Sequence, residues 1–392
     1  MLTARKVRLW YRIHKWASLI CTAFLLMSCL TGLPLIFRDE IAHFTNHDVR
    51  PEALPDSAPY VALQPMIEAS LHRFPGQKIF SVGWDDDEPR VFVNVAPNFD
   101  PKPDEGHTLA FDAHTGHFLE ELRERHDLLY YATMLHVELF AGLGGELFLG
   151  GMALLFLVAL ISGAVVYGPF MRRLDFGTVR KRTRSRTAWF DLHNLIGIVT
   201  CTWALVVGAT GAMNTLSDPL FDAWRSQEMP QLLVPFHGRP MPQHLGSLDA
   251  AVEKTHQTLP HAGITSVIFP NPKFGSPRHY LLWTHGNSPF TSQVFTPVLI
   301  DVETGNVAMA KGLPWYLRTL ELSRPLHFGD YGGLPLKIIW ALFDVALVVV
   351  LLSGVYLWLS RRKRPVEDEL NRLVRAEELA TRGTSTVGAL TQ

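Results

Sequence analysis

Apolar positions along this chain gather into four long runs, with two long mixed stretches between them. The runs occupy about residues 16–37, 146–170, 193–216 and 335–360. Each holds roughly 20 residues or more, the length at which a helix crosses about 30 Å of hydrocarbon. Glycine and Ser/Thr inside the runs suit helices packed together in a bilayer. The first run is not read as a cleaved leader: it is too long, it lacks a small-x-small site, and its counterpart at 193–216 is internal. In the mixed stretches, 38–145 and 217–334, the pattern changes to short segments of period two. A helix at 63–74 and strands at 79–84, 90–96 and 108–112 are expected. They are followed by a helix at 248–258 and strands at 264–269, 279–284 and 298–301. Asp112 to Gly116 and Asp301 to Gly305 place Asp and Gly as tight turns require. The expected fold is an α-helical membrane protein: a four-helix transmembrane bundle built from a tandem repeat, with two small α+β domains.

The repeat is visible residue by residue. An offset of 179 carries His14 to His193, Thr31-Gly32 to Thr210-Gly211 and Asp39 to Asp218. An offset of 191 carries His136 to His327 and Ser162-Gly163 to Ser353-Gly354. Two helix pairs in one orientation imply a pseudo-two-fold axis along the membrane normal. Across such an axis His14 meets His193 near one surface, and His136 meets His327 near the other.

Charge placement orients the chain. Arg5, Lys6, Arg8, Arg12 and Lys15 fall in residues 1–15. Arg172, Arg173, Arg180, Lys181, Arg182, Arg184 and Arg186 crowd the 171–192 loop, and Arg361 to Arg364 open the 361–392 tail. Short basic segments face the cytoplasm, so both termini are expected inside, and 38–145 and 217–334 outside, in the periplasm. The net charge of −1 gives no reason to expect a nucleic-acid partner. The three cysteines, Cys21, Cys29 and Cys201, all lie in apolar runs, which argues against a disulfide framework. There is no C-x-x-C-H for covalent haem attachment and no C-x-x-C for a cluster or zinc. Triads, phosphate loops and dinucleotide fingerprints are also missing from the sequence.

The four repeated histidines are the candidate chemistry. An interfacial histidine is ordinarily just that, and neighbouring Trp and Tyr are ordinarily an aromatic belt. Here the surrounding residues differ between the halves while each histidine keeps its place. Metal or haem ligation by His14, His193, His136 and His327 follows, with clustered arginines available for haem propionates. Asp344 lies deep in the last run, where its counterpart is Ala153. A proton or quinol role is weighed there against a helix–helix hydrogen bond. His107, His114, His117, His126, His237, His244, His256, His261, His279 and His285 read as surface residues, with an exterior metal or substrate contact as the alternative.

Arg12-Ile-His14-Lys-Trp16 leading to Thr31-Gly32, Asp112-x-x-Thr115-Gly116, Leu135-His136, Ser162-Gly163 and their partners resemble the PepSY-associated transmembrane family over about 8–364. Members are associated with iron uptake. Some resemble inner-membrane ferrisiderophore reductases with two b-type haems. The resemblance implies PepSY-like periplasmic domains and two haem b per chain on the four histidines. It also implies a ferric siderophore as acceptor, membrane lipid around the helices, and a quinol or cytoplasmic reductase as donor. Two other readings stand beside it: a non-enzymatic membrane protein whose exterior modules bind a peptide or partner protein, and a permease for a chelate or metal. The reductase reading meets a geometric difficulty, since His14 to Pro34 already spans about 30 Å as helix.

Overall fold

A computed structural model describes residues 3–45, 49–52, 54–55, 58–85, 88–102, 105–122, 127–171, 175–180, 185–236, 240–288 and 291–360. His126, His237, Arg172, Arg173, Lys181, Arg182, Arg184 and the 361–392 tail lie outside the described residues. In chain order the elements are α1 (Ala4–Ile36), α2 (Arg38–Thr45), α3 (Gln64–Arg73), β1 (Lys78–Trp84), β2 (Arg90–Ala96), β3 (His107–Asp112), β4 (Phe118–Leu122), α4 (Leu128–Val137) and α5 (Gly142–Met171). Then follow α6 (Ser185–Asn214), α7 (Ser217–Leu233), α8 (Leu248–Thr258), β5 (Ala262–Ile268), β6 (His279–Gly286), β7 (Phe295–Asp301), β8 (Val307–Ala310), α9 (Trp315–Phe328) and α10 (Gly333–Leu359). They form two compact units, one helical and one built on a sheet.

In the helical unit, α1, α5, α6 and α10 are long and apolar enough to cross a membrane. α1 packs along α5, α5 along α6, α6 along α10 and α10 back along α1, which closes a ring of four. Their apolar residues are not confined to one stripe. Cys21, Cys29, Phe156, Trp203, Ala204, Leu347 and Leu351 fill the interior, while Leu154, Val199, Leu342 and Leu352 are exposed on the outside. A helix apolar all round is stable only where its outer surface also meets an apolar medium. α1 starts at Ala4, well before the apolar run, because Arg and Lys are good helix formers and Thr3 caps the first turn by accepting from the Lys6 N–H at 3.4 Å.

Two shorter helices, α4 and α9, precede α5 and α10. The turns that follow them need left-handed backbone. The second uses Gly329 and Gly333, at φ 84° and 57°; the first puts Leu139 and Phe140 there, at φ 54° and 57°.

The sheet unit corrects one expectation. Two separate α+β domains were anticipated, but all eight strands join in one antiparallel sheet, in the order β4-β3-β2-β1-β5-β6-β7-β8. The order is the same from either edge, and β1 pairs with β5 at the centre through Ser81–Ile268, Val82–Val267 and Gly83–Ser266. Val82, Val93, Leu109, Phe111, Val267, Leu282, Val298 and Ile300 form a single core with Met66 of α3 and Leu248 of α8. Each half closes with the same turn. Asp112 Oδ1 accepts the N–H groups of His114 and Thr115, and Asp301 Oδ1 those of Glu303 and Thr304.

Candidate functional site

The four repeated histidines meet in two pairs within the helical unit. His14, in the third turn of α1, faces His193 of α6 with ring centroids 6.4 Å apart and planes at 63°. His136, in the last turn of α4, faces His327, in the last turn of α9, at 6.2 Å and 61°. These are the pairs expected from the repeat, with the second carried by the short helices α4 and α9 and not by the four long apolar helices.

In every case Nδ1 is engaged. The His14 Nδ1–H donates to Ala159 O at 2.8 Å, and that of His193 to Val350 O at 3.1 Å, with Ser353 Oγ at 2.9 Å. His327 Nδ1 lies 3.0 Å from Val207 O and 3.4 Å from Thr210 Oγ, and His136 Nδ1 lies 3.0 Å from Thr31 Oγ. A ring whose Nδ1 carries the proton presents Nε2 as its lone-pair nitrogen.

The repeated Thr-Gly and Ser-Gly pairs thereby acquire a purpose that sequence reading did not assign. A Cβ on Gly163 would sit 2.9 Å from the His14 ring, and one on Gly32 3.0 Å from His136. One on Gly211 would sit 3.0 Å from His327, and one on Gly354 3.4 Å from His193. Three of the imidazoles therefore lie so close to a helix backbone that a Cβ there would force the ring to give way, while at Gly354 a Cβ would make ordinary contact with His193. The hydroxyls of Thr31, Thr210 and Ser353 bond Nδ1, and Ser162 Oγ shares Ala159 O with His14. The motifs were visible as repeats, but the partner of each lies on another helix more than 100 residues away.

Two imidazoles facing at this distance suit one metal between them. With metal–nitrogen bonds of about 2.0 Å and a ring centre about 1.1 Å beyond each nitrogen, opposed ligands would have centroids about 6.2 Å apart. No cluster of three or more His, Cys, Asp or Glu that could hold a bare ion occurs among the described residues. Two imidazoles and no further protein donor would suit a metal whose remaining ligands come from a planar macrocycle, and such a group would supply one-electron redox chemistry. A cleft opens around His14 and His193. It is lined by Tyr11, His14, Lys15, Leu25, Phe156, Arg186, His193 and Leu351, with about 1430 Å³ of empty space, part of it at an open mouth. Arg186 Nε is buried at this wall without a hydrogen-bond partner, where an acidic group on a bound molecule would complete it. Arg180 is engaged elsewhere: it holds Asp191 at 2.7 Å, and the bond from that carboxylate raises its own already high pKa further.

Between the pairs lies an aromatic layer. Trp203 stacks on Phe343 at 5.7 Å and meets Trp340 edge-on at 6.5 Å. The Trp340 Nε1–H donates at 3.2 Å to the carbonyl of Leu326, next to His327. From His193 to Gly211 is 18 residues along α6, about 27 Å, and Trp203 stands near the middle.

Among the described residues, the other histidines do not assemble into a metal-holding cluster. His107 stacks on Phe74 and bonds Glu121 at 2.8 Å, His114 Nδ1 bonds Pro59 O, and His279 is buried against Ser276. His114 and His279 are buried and thus depart from the surface reading; burial lowers the His279 pKa, against the pull of Asp301. In the same unit burial raises Glu321 to about 7, opposed by the Phe295 N–H and by Arg324 and Arg318. Burial also acts on Asp112 and Asp301, but it is outweighed, at Asp112 by the N–H groups of Glu52, Thr115 and His114 and at Asp301 by the N–H groups and hydroxyl of Thr304 with the N–H of Glu303, and both are held below the usual carboxylate range.

A family model described as "PepSY-associated TM region" matches residues 11–361. The chain is also similar to the uncharacterized protein PA4219 of Pseudomonas aeruginosa. The two are 25% identical over 282 residues, which is 65% of this chain and 69% of that protein.

Proposed function

The chain belongs to the PepSY-associated transmembrane family, and from that premise we propose that it is a bacterial inner-membrane oxidoreductase with two b-type haems. His14 and His193 hold one, His136 and His327 the other. The observation that carries this reading is the near-identical geometry of the two pairs, at 6.4 and 6.2 Å with the Nδ1 atoms tied back. Haem supplies a one-electron carrier whose potential depends on axial ligation, burial and hydrogen bonding. The chain's own residues supply the rest. The backbone and hydroxyl partners of Nδ1 orient each imidazole and strengthen it as a donor. Arg186 and Lys15 line the cleft where propionates would lie, and apolar side chains such as Leu25, Phe156 and Leu351 line the rest of it. Trp203 and Trp340 fill the space between the sites with aromatic atoms, which answers the distance problem posed by the helix length.

In this reading both termini and the basic loop are cytoplasmic, the sheet unit is periplasmic, and the donor is a quinol or a cytoplasmic reductase. The acceptor is a ferric siderophore. Its hard oxygen donors hold Fe(III) far better than Fe(II), so one electron releases the metal. The test is the dithionite-reduced absorption spectrum of the purified chain, with haem and iron quantified per polypeptide. Two haems are expected, and His136→Ala or His327→Ala should lose one of them together with ferric-chelate reduction. A colourless protein from cells well supplied with haem would end the proposal.

A further inference from the structure

The short helix α4 falls in the 38–145 stretch expected outside the membrane, yet its surface is not that of a helix in water. Residues 128–137 include no Lys, Arg, Asp or Glu. Leu128 is 80% exposed, Tyr131 51% and Phe140, in the turn that follows, 55%. Tyr131 and Phe140 meet with ring centroids 6.3 Å apart. Val137 is exposed as well, and Leu143 and Leu147 carry the apolar surface on to α5. The repeat does not require this. The offset of 191 lays α4 on residues 319–328, which include Glu321 and Arg324, and it lays Leu139 and Phe140 on Asp330 and Tyr331.

The level of α4 follows from what it touches. It packs along α1. His136, in its last turn, lies against Gly32 and bonds Thr31 at 3.0 Å. Gly32 is six residues before Arg38, the first charge after the apolar run of α1. The contact is therefore about 9 Å of helix rise inside that charge. The backbone adds a second observation. Leu139 and Phe140 hold left-handed conformations, at φ 54° and 57°, that glycine adopts without strain and other residues do not. The strained turn sets Phe140 on the surface beside Tyr131 instead of inside the bundle.

We propose that α4 and the turn after it lie in the membrane, at its interface with water on the side remote from the basic start of α1, with Leu128, Tyr131, Val137 and Phe140 against lipid. The occupant of this face is lipid and not protein for two reasons. First, the patch continues into Leu143, Leu147 and Leu154, exposed on α5, a helix long and apolar enough to cross a membrane. Second, a protein–protein contact is ringed by polar residues, and this face has no such rim. From 128 to 145 there is no Lys or Arg, and the one carboxylate, Glu138, is half-buried. Adjoining aromatic rings at this level form the belt common to membrane–water interfaces. Interfacial helices settle at a depth of roughly 5–10 Å, in keeping with the contact at Gly32. His136 is thereby held below the lipid surface.

The test uses the full chain in vesicles of phosphatidylcholine and phosphatidylglycerol. A nitroxide is attached at Tyr131→Cys or at Phe140→Cys, with Cys201→Ser removing the native thiol that is not buried. Leu154→Cys marks lipid, and Gln257→Cys, exposed on α8, marks water. Collisions with oxygen, which concentrates in lipid, and with a water-soluble nickel chelate read the surroundings of each label. Labels at 131 and 140 should match 154, with strong oxygen broadening and loss of the nickel effect seen at 257. Nickel access equal to that at 257 would put α4 in water and overturn the proposal. Spin–spin broadening at both labels, absent when labelled chain is diluted with unlabelled, would put a second copy on the face and overturn it likewise. Should the cysteine variants fail to fold, the unaltered chain decides. A lipid with a photoreactive diazirine in its acyl chain must crosslink within residues 128–140. Crosslinks restricted to α1, α5, α6 and α10 refute the assignment.

Discussion

Gly163→Ala and Gly354→Ala form a matched pair whose outcomes should differ. In an ordinary helix interior, alanine is favoured over glycine by about 0.5–1 kcal/mol, so neither change threatens the helix. The new methyl group on residue 163 would lie 2.9 Å from Cε1 and 3.1 Å from Nδ1 of His14. Carbon contacts are comfortable from about 3.5 Å, so the ring must retreat by roughly 0.5 Å. It cannot retreat freely, because its Nδ1–H is bound at 2.8 Å to Ala159 O, one turn back on the same helix that pushes it. A displacement of about 0.5 Å uses the whole tolerance of a working ligand set. Disturbing the support of a ligating histidine costs roughly 10–100-fold in affinity. Gly163→Ala should therefore lower haem from about two to about one per chain, with the outer site intact. At residue 354 the methyl group would meet His193 at 3.4 Å, and the variant should retain both haems. The assay is haem per polypeptide with the low-spin absorption of each site. Equal occupancy in the two variants would refute the claim that glycine is there to seat the imidazole.

Three further outcomes are expected. Trp203→Leu should leave both haems bound but slow electron transfer between them, seen as a slower second phase when a membrane-impermeant reductant is mixed with proteoliposomes. Asp301→Ala should destabilise the sheet unit by about 2 kcal/mol, since the carboxylate satisfies two backbone N–H groups and the Thr304 hydroxyl; the shift of the denaturant midpoint measures it. Glu321 binds its proton more tightly folded, near 7, than at its ordinary 4.5. Its contribution is thus fully present below about pH 4.5 and lost as pH rises through about 7. Glu321→Gln should raise the melting temperature at about pH 8 and change it little at about pH 4.5.

The four crossing helices were legible because a bilayer demands long apolar runs, and the histidines because two offsets preserved them. The helix limits were less so. Hydropathy marks where the hydrocarbon begins, not where hydrogen bonding stops, so α1 runs on through Arg5 and Arg8. The helices α4 and α9 were not foreseen. Leu128–Val137 is apolar on nearly all sides and carries no amphipathic period, and α9 contains Pro325 within its length. The edge strands β4 and β8 are short and interrupted by register shifts, which erases the alternation that would have betrayed them. β2 and α8, regular throughout, were placed to the residue. The seats of the imidazoles stayed hidden because Gly32 and His136 become neighbours only through folding.

The central β1–β5 seam has a consequence for how this protein could be divided. Cut between the halves, each fragment would keep a four-stranded sheet with its innermost strand bare. Val82 and Val267, now fully buried opposite one another, would sit at raw edges whose open backbone recruits any matching strand. A fragment carrying residues 1–171 should therefore associate with a second copy of itself, or with its missing complement, before it behaves as a monomer. Light-scattering mass on that fragment, alone and mixed with the remainder, would show which it chooses.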